Sequence, residues 1–371
     1  MRVTVVTTWL PTAVAPSSGS FVVRDCLAMR QVGQDVRIVH LVPPHQDDGT
    51  RRALIEGLRV VRVPMRPADP VSVARAARHL PALLEDAEVL HSMAMSALLP
   101  LGLLDTVHAL RTPWVHTEHW SGLTNPGTLT PALRAGRMLV THELARPDVV
   151  TAVCDYLAAP VRRARFEAPT VVVPCVVEPL ARVAERRQGP GLRLVSVGGL
   201  VERKDPLTGV EVLAELVARG TDASLTLVGD GPLREQVAAR ANERGVGERL
   251  RLTGTLDAAG VRRELEAADL FLGPTRGDNF FVSAAEAIVA GRPVVVSDAG
   301  GQVEYVAEAN GAVVPAGSTV GVWADAVTAT LGRLEGASAG DIAATIGQRF
   351  ASQQVGESYR RVHEQAAGRL R

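Results

Sequence analysis

The feature that most constrains the fold is an alternation of short apolar runs with helical segments, which begins at Val3 and continues through most of the chain. The apolar runs are rich in Val, Ile and Leu, as in strands that are buried on both faces. Strands of this kind, separated by helices, form a parallel sheet that is covered on both sides. The sequence therefore predicts an α/β protein of the doubly wound class.

The predicted elements fall into two series. In the first half, strands are predicted near residues 2–8, 35–41, 58–63, 87–91, 113–118, 148–153 and 170–174. The helices of this half are predicted near 21–32, 71–85, 94–110, 130–145 and 155–165. After Gly191 the alternation restarts, with strands at 192–197, 223–228, 249–253, 269–272 and 293–296. Helices are predicted here at 205–219, 231–244, 259–267 and 282–290, and the tail from about 320 to 371 is predicted to be helical.

The length of the chain, 371 residues, exceeds one typical core and predicts two domains. Residues 179–191 are charged, contain Pro and Gly and lack periodicity, so we interpret them as the linker. The predicted domains are residues 1–178 and 192–352, and a C-terminal helix at about 353–371 could pack back on the first domain. Two such units bind ligands in the cleft between them, at the carboxyl ends of strands.

Composition excludes several classes of partner. Forty basic and forty acidic residues cancel, so we expect no bulk attraction to nucleic acid. Three widely spaced cysteines match neither a disulfide framework nor a zinc spacing, and a reducing cytoplasm is the expected location. The first residues read as a strand rather than a signal peptide, and no apolar run approaches the roughly 20 residues of a transmembrane segment. Peripheral membrane contact and the oligomeric state stay open.

The stretch at 273–301, GPTRGDNFFVSAAEAIVAGRPVVVSDAGG, reads as strand end, loop, helix, loop and strand. Asp278 lies in the first loop, and Glu286 lies one turn inside the helix. The backbone amides of residues 280–282 are the unpaired donors at the helix start, which suit an anion such as a phosphate. Two acids that flank an anion indicate a ligand with hydroxyl groups on both sides of a phosphate, as in a nucleotide sugar. An ordinary βαβ unit with two surface acids is the alternative.

Lys204 is the only lysine of the chain and lies in the loop after the strand at 192–197. A lysine at this place can reach a diphosphate as a compact charge with three donors. A solvated surface lysine is the alternative, but arginine serves as the basic residue almost everywhere else. That exception favours a functional role.

The strand at 113–119 ends in two histidines and an acid. His119 is the last residue of the strand, where α/β proteins carry their active sites. His116 and Glu118 share one side of the strand, and His116 is expected to be structural. A zinc site would need further ligands, and none are spaced to join these residues, so we expect no metal.

Gly19 precedes the first predicted helix, at the end of the loop WLPTAVAPSSGS at 9–20. A glycine at a helix start lets a phosphate or a sugar approach the backbone closely. A flexible loop that is capped by Ser20 is the alternative. By itself this glycine does not decide between the two.

Three segments together resemble the retaining glycosyltransferases of family 4, which have the GT-B fold. That family shows V-G-R-L-x-x-x-K-G, then G-x-G-P-L, then E-G-F-G-x-x-x-x-E-A-x-A-x-G-x-P-V-V. This chain has VGGLVERKD at 197–205, VGDGPL at 228–233 and DNFFVSAAEAIVAGRPVVVSDAGG at 278–301. The resemblance extends over most of residues 192–315, and the first half matches more loosely. It implies two Rossmann-like doubly wound domains that face each other across a cleft.

The resemblance implies catalytic roles for three residues. Lys204 falls on the family lysine that holds the donor diphosphate. Asp278 falls on the acid that contacts hydroxyl groups of the transferred sugar, and His119 falls on the histidine at the reaction centre. The leaving diphosphate develops charge, which Lys204 and the helix start would stabilise without a metal.

Further donor-binding positions follow from the same resemblance. Glu286 falls on the second acid, which binds the nucleotide ribose, and Gly19 would approach the diphosphate. The backbone amides of three residues would hold sugar and phosphate: Phe280, Phe281 and Val282.

Three positions depart from the family pattern. Gly199 stands where the family has a phosphate-binding arginine, so either Arg203 or another cation substitutes or the charge is neutralised less fully. Asp278 is one methylene shorter than the usual glutamate, and Phe281 replaces a common glycine. These departures bear on which donor is bound rather than on the activity.

The expected function is transfer of a hexose or N-acetylhexosamine from a nucleoside diphosphate sugar, with UDP favoured, to an acceptor hydroxyl. The acceptor is a small molecule, a glycan or a lipid-linked molecule, with a small aminocyclitol or sugar intermediate preferred. Neither a metal nor another cofactor is expected. The alternatives are a GT-B UDP-sugar epimerase or hydrolase and a non-catalytic nucleotide-sugar-binding partner of another transferase.

Overall fold

The computed structural model describes residues 1–131, 134, 141–166, 168–187 and 189–368. The chain forms two compact units. Unit 1 contains Met1–Val176 and Phe350–Arg371, and unit 2 contains Val177–Arg349. Half of the helix predicted at 130–145 lies outside the described residues.

Unit 1 is built on a sheet of eight strands among the described residues. These are β1 (Arg2–Thr7), β2 (Asp35–Val42), β3 (Arg52–Ile55), β4 (Leu58–Pro64), β5 (Val89–Met93), β6 (Trp114–Glu118), β7 (Val149–Ala152) and β8 (Thr170–Val172). Their order is β3-β4-β2-β1-β5-β6-β7-β8, and the neighbours are parallel except for β3 and β4. The helices that follow in unit 1 are α1 (Ser20–Gln31), α2 (Pro70–Leu84), α3 (Leu98–Thr106) and α4 (Asp155–Arg165). The helix predicted at 94–110 is thus shorter, because a 3-10 turn precedes α3.

The β3–β4 hairpin was not predicted from the sequence. Its turn contains Glu56 and Gly57, which both have positive φ angles, 47° and 79°. This is the conformation of a tight two-residue hairpin turn, but Glu is an unusual residue for it. The strand β3 is also short, and none of its four residues is buried, so no buried apolar run marks it in the sequence.

Unit 2 contains a parallel sheet of six strands among the described residues. These are β9 (Leu192–Val197), β10 (Ala223–Val228), β11 (Leu250–Gly254), β12 (Leu270–Gly273), β13 (Val294–Ser297) and β14 (Gly311–Val314), in the order β11-β10-β9-β12-β13-β14. The helices are α5 (Pro206–Ala218), α6 (Arg234–Glu243), α7 (Ala258–Ala267), α8 (Val282–Val289), α9 (Val320–Arg333) and α10 (Ala339–Ala344). The strands β9 and β10 have the predicted bounds, whereas β14 was not predicted. Each sheet carries its own apolar core.

The stretch predicted as a linker, 179–191, differs from that interpretation because it belongs to unit 2. The Arg186 guanidinium donates to the carbonyl oxygens of Leu334 at 2.5 Å and Ala337 at 2.9 Å. The fully buried Arg292 donates to the carbonyl oxygen of Ala184 at 2.6 Å. Arg186, a charged residue of the stretch predicted as a linker, therefore satisfies backbone carbonyl groups of unit 2.

The last helix, α11 (Ser352–Gly368), belongs to unit 1 and packs against α1. A Cβ atom on Gly356 would lie 2.3 Å from the carbonyl oxygen of Ala28, so a glycine is needed for this close approach. The buried face of α11 includes Val355, Tyr359 and Val362, which join the core of unit 1. No helix in the described part of the chain combines the length and the apolar character that a membrane crossing requires.

Candidate active site

Two loops of unit 2 are joined at the carboxyl edge of its sheet, because β9 and β12 are neighbours. The carbonyl oxygen of Arg203 accepts hydrogen bonds from the Arg276 amide at 2.8 Å and from the Thr275 hydroxyl at 2.9 Å. The Arg276 guanidinium donates to Asp205 at 2.9 Å. These bonds bring Lys204 and Asp278 together, although the two residues are 74 positions apart.

The Asp278 carboxylate is the centre of a cluster of charges. Its Oδ2 accepts from Lys204 Nζ at 2.5 Å and from Arg203 Nη1 at 3.0 Å. Its Oδ1 accepts from the Phe281 amide at 3.0 Å. The Lys204 ammonium also lies 4.1 Å from the centroid of the Phe281 ring, within cation–π distance. The structure thus brings four of the predicted site residues into contact.

The charges of this cluster follow from the balance between burial and pairing. Burial by itself raises the pKa of Asp278, but Lys204 and Arg203 outweigh it and lower the pKa to about 2. Burial lowers the pKa of Lys204, and the neighbouring Arg203 lowers it further, whereas Asp278 raises it. The carboxylate is therefore ionised at neutral pH and holds two cations in place.

The start of α8 is strained at Phe281, which has φ 60° and ψ 59° in the left-handed region. A glycine would adopt this conformation most easily, and here a phenylalanine must be held in it. Its ring is buried and packs on Phe271 at 5.6 Å between centroids. The Tyr305 hydroxyl lies 2.9 Å and 2.8 Å from the carbonyl oxygens of Phe280 and Phe281. Packing and these hydrogen bonds stabilise the turn.

One expectation about this helix start is corrected by the structure. The amides of residues 280–282 were expected to be unpaired donors, but the Phe281 amide donates to Asp278 Oδ1. The side chain that was expected to meet a sugar therefore also occupies one donor of the anion site. A ligand at this helix start would have to share that donor with Asp278.

Glycines let the loops after β9 and β10 pass close to each other. A Cβ atom on Gly229 would lie 2.1 Å from the carbonyl oxygen of Gly198, and one on Gly231 would lie 2.5 Å from that of Leu200. A recess results, and its lining includes Gly198, Gly199, Lys204 and Phe281. Gly199 thus adds no charge here, whereas Arg203 lies on Asp278 beside Lys204.

Glu286 lies half-buried on α8. The first turn of this helix is fastened to β9, because Ser283 Oγ donates to the carbonyl oxygen of Val197 at 2.9 Å. The same helix has Phe281 and Val282 at its start. Glu286 and the residues at the helix start are therefore held at the same edge of the sheet, next to β9.

In unit 1, His119 follows β6 and has only 8% of its side chain exposed. Its Nε2 lies 3.6 Å from Asp25 Oδ2, and its ring lies 4.5 Å from the Phe21 ring, measured between centroids. Gly19 begins α1 with φ 63°, and a Cβ atom there would lie 2.3 Å from the carbonyl carbon of Trp9. Gly19 thereby allows α1 to start where Phe21 and Asp25 reach His119.

Glu118 shapes the turn that carries His119. Its Oε1 accepts from the amides of His119 at 2.8 Å and Trp120 at 2.5 Å. Its Oε2 lies 3.3 Å from Nε2 of His116, and both side chains are fully buried. His116 and Glu118 thus form a buried pair beneath the turn that carries His119.

Sequence reasoning missed Asp25 and Tyr359. The Tyr359 hydroxyl donates to Asp25 Oδ2 at 3.1 Å, from a position 334 residues later in the chain. Asp25 lies on the helix face that also buries Val22, Cys26 and Met29. A carboxylate within that apolar face was a signal that could have been read, but Tyr359 had no local signal.

Each unit is thus a Rossmann-like domain with a parallel or largely parallel sheet, and the two together form a GT-B fold. Residues 191–333 match the family model for glycosyl transferases group 1, and residues 18–175 match the glycosyl transferase 4-like domain. The chain belongs to this family of glycosyltransferases, family 4, as its motifs indicated.

Characterised relatives match parts of the chain. A 2-deoxystreptamine glucosyltransferase of Streptomyces kanamyceticus is 29% identical over 217 residues, which are 58% of this chain and 53% of that protein. A GDP-mannose-dependent alpha-(1-6)-phosphatidylinositol dimannoside mannosyltransferase of Mycobacterium tuberculosis is 33% identical over 153 residues, which are 38% and 39% of the two chains. The matches thus span about half or less of these relatives.

Solved structures share the fold over nearly the whole chain. Sucrose-phosphate synthase from Thermosynechococcus elongatus superposes with a TM-score of 0.80 at 18% identity and covers 98% of both chains. The Anabaena protein HepE in complex with UDP has a TM-score of 0.75 at 16% identity and covers 98% of this chain and 100% of that one. At these identities the likeness shows the fold alone.

Proposed function

We propose that this protein is a retaining, metal-independent glycosyltransferase that moves a hexose or N-acetylhexosamine from a nucleoside diphosphate sugar to an acceptor hydroxyl. The observation that carries the proposal is the cluster of Lys204, Arg203 and Asp278 at the start of α8. Two cations and a helix start form a place for a diphosphate, and the acid beside them can meet the sugar hydroxyls. Glu286 on the same helix would bind the ribose.

The charge cluster also indicates how the leaving group is stabilised. When the bond between the anomeric carbon and the diphosphate breaks, the electron pair stays on the diphosphate oxygen. Lys204, Arg203 and the amides of α8 would meet that charge with groups that are already in place. Because Asp278 holds both cations in the ligand-free protein, the diphosphate must share them with this carboxylate.

The donor nucleotide is proposed to be UDP. HepE has been solved with UDP, whereas the mycobacterial relative is named as GDP-mannose-dependent. Asp278 and Phe281 are the departures from the family pattern that lie in the cluster. We propose that they take part in the choice of donor, because both line the place where the sugar would lie.

The acceptor is proposed to be a soluble aminocyclitol or a related sugar. The streptomycete relative is named for 2-deoxystreptamine, whereas the mycobacterial one is named for a phosphatidylinositol mannoside. We propose a cytoplasmic location, which suits either class of acceptor. Lipid-linked and glycan acceptors are the alternatives. A soluble and a lipid acceptor therefore distinguish the two possibilities.

The first experiment measures thermal stabilisation of the protein by UDP, GDP, ADP and dTDP. The Lys204→Ala variant is measured with the same four nucleotides as the control. We expect UDP to give the largest shift and Lys204→Ala to lose most of it. Equal, negligible shifts for all four nucleotides would contradict the donor site itself. A larger shift with GDP would keep the site and correct the nucleotide.

The second experiment measures transfer from the sugar of the favoured nucleotide to 2-deoxystreptamine or to phosphatidylinositol mannoside in vesicles, with and without EDTA. We expect an α-linked product from an α-linked donor and no loss with EDTA. Turnover of the donor without any acceptor would favour the epimerase or hydrolase. A donor that binds but is never consumed with a broad acceptor set would favour the non-catalytic partner.

A further inference from the structure

Asp25 is a buried carboxylate at which three distant segments meet. It is 1% exposed on α1, and its Oδ2 accepts from the Tyr359 hydroxyl of α11 at 3.1 Å. The same oxygen lies 3.6 Å from Nε2 of His119, after β6. One carboxylate oxygen thus faces both the candidate site histidine and a tyrosine from the C-terminal helix.

A carboxylate at this position is costly for the fold. Burying an ionised group costs several kcal/mol unless it is paired or hydrogen-bonded, and an apolar residue would suit the surrounding face of α1. The neighbours Val22, Cys26 and Met29 are all completely buried. The carboxylate is hydrogen-bonded by the Tyr359 hydroxyl and faces His119, so its two polar neighbours are these side chains.

Tyr359 is held so that its hydroxyl stays on Asp25. Its ring is fully buried and lies 5.4 Å from the His91 ring, measured between centroids. His91 Nδ1 lies 2.9 Å from His363 Nε2, and His91 Nε2 lies 2.6 Å from the Thr117 hydroxyl. Burial and the charge of Asp25 raise the pKa of Tyr359 well above its ordinary value, so the phenol keeps its proton.

We propose that Asp25, held by Tyr359, is a positioning residue that orients the imidazole of His119 with Nε2–H directed at the carboxylate. The Phe21 ring also contacts the imidazole, at 4.5 Å between centroids. The consequence is that Nδ1 points away from the carboxylate and that the C-terminal helix helps to order the site of unit 1. The inference rests on the proposed function, since it assigns the role of Asp25 through His119.

The kinetic test compares Asp25→Asn and Tyr359→Phe with Asp148→Asn as the matched control. Asp148 lies at the opposite end of β6, where its Oδ2 accepts from the Trp114 amide at 2.8 Å. We expect Asp25→Asn to lower kcat about tenfold and Tyr359→Phe about threefold, with the donor KM changed less than about twofold. Asp148→Asn should lower Tm to a similar degree and leave kcat unchanged.

The second readout is independent of activity. Protein with ¹⁵N-labelled histidine gives imidazole shifts that distinguish the two tautomers, and His119→Gln assigns the signal of His119. We expect the Nε2-protonated form in the wild type, and a shift away from it in Asp25→Asn and Tyr359→Phe. Asp148→Asn should leave the signal unchanged.

Two results would overturn the inference: a His119 signal that Asp25→Asn and Tyr359→Phe leave unchanged, or kcat losses in these variants no larger than in Asp148→Asn. If Asp25→Asn does not fold, Tyr359→Phe decides, because it keeps the carboxylate and removes only one hydroxyl group. Failure of the proposed function is distinct, since it shows as a wild type that transfers no sugar while the His119 signal still reports the pairing.

Discussion

The two units carry differently built sites, and the difference lies in how the polar groups are held. In unit 2, Lys204, Arg203 and Asp278 are charged, between 17% and 30% exposed, and come from loops that follow neighbouring strands. In unit 1, His119 and Asp25 are at most 8% exposed and depend on Tyr359 from the end of the chain. Ion pairs hold the side chains of the site in unit 2, whereas burial and hydrogen bonding hold those of the site in unit 1.

This difference predicts different sensitivities. Groups in unit 2 hold each other directly, so removal of one charge should act on donor binding and on the charge of the leaving group. Groups in unit 1 act through one carboxylate, so their removal should change the orientation of His119 rather than the affinity for the donor.

Lys204→Ala should have the largest effect. It removes the only lysine and a charge-assisted contact to the diphosphate, so kcat/KM for the donor should fall about 100-fold. Steady-state kinetics with the donor varied measure the change. Arg249→Ala, which breaks an exposed pair with Asp222 in the same unit, is the control and should be nearly silent. Near-normal transfer by Lys204→Ala would remove the lysine from the donor site.

Asp278→Asn should destabilise unit 2 by about 2 kcal/mol at neutral pH, because the pKa of the carboxyl is lowered to about 2 from 3.8. A lowered pKa gives stability that is fully present above pH 3.8 and is lost as the pH falls towards 2. Urea unfolding of wild type and variant at pH 6 and pH 3 measures the difference, which should shrink at the lower pH. A difference that is the same at both values would mean that the ion pair does not stabilise the fold.

Glu286→Ala should lower kcat/KM about tenfold, mainly through a higher donor KM, since a ribose contact acts on binding. The matched control is Glu264→Ala, a helical glutamate of unit 2 that pairs with Arg251 on the surface. Steady-state kinetics with the donor varied give kcat and the donor KM, and nucleotide titrations give the affinity for the nucleotide. A loss confined to kcat would argue against a role at the ribose.

Two matched tyrosine variants compare the units directly, because a buried tyrosine hydroxyl is hydrogen-bonded to each site. Their expected effects are small. Tyr305→Phe removes the hydroxyl from the start of α8, and Tyr359→Phe removes it from Asp25. We expect the first to raise the donor KM about threefold and the second to lower kcat about threefold, in line with roughly 1 kcal/mol for one hydrogen bond. Identical kinetic changes in both variants would break the comparison between the units.

Much of unit 2 could be predicted from the sequence because its signals are local. The bounds of β9 and β10 follow from the short Leu- and Val-containing runs LRLVSV and ASLTLV, and the lone Lys204 was recognisable in a chain that otherwise uses arginine. The contact between Lys204 and Asp278 was not predicted, because it requires β9 and β12 to be neighbours in the sheet. That Asp278 also takes the Phe281 amide did not follow, because a side chain's choice between neighbours depends on the folded loop.

In unit 1 the sequence predicted seven of the eight described strands, the glycine at the start of α1 and the place of His119 at the end of β6. Tertiary packing places Asp25 beside His119 and brings α11 back, so that Tyr359 donates to the same carboxylate. The physical reason is that apolar periodicity and strand ends are written in neighbouring residues. Contacts between residues 25, 119 and 359 depend on how α1, β6 and α11 pack, which no local pattern contains.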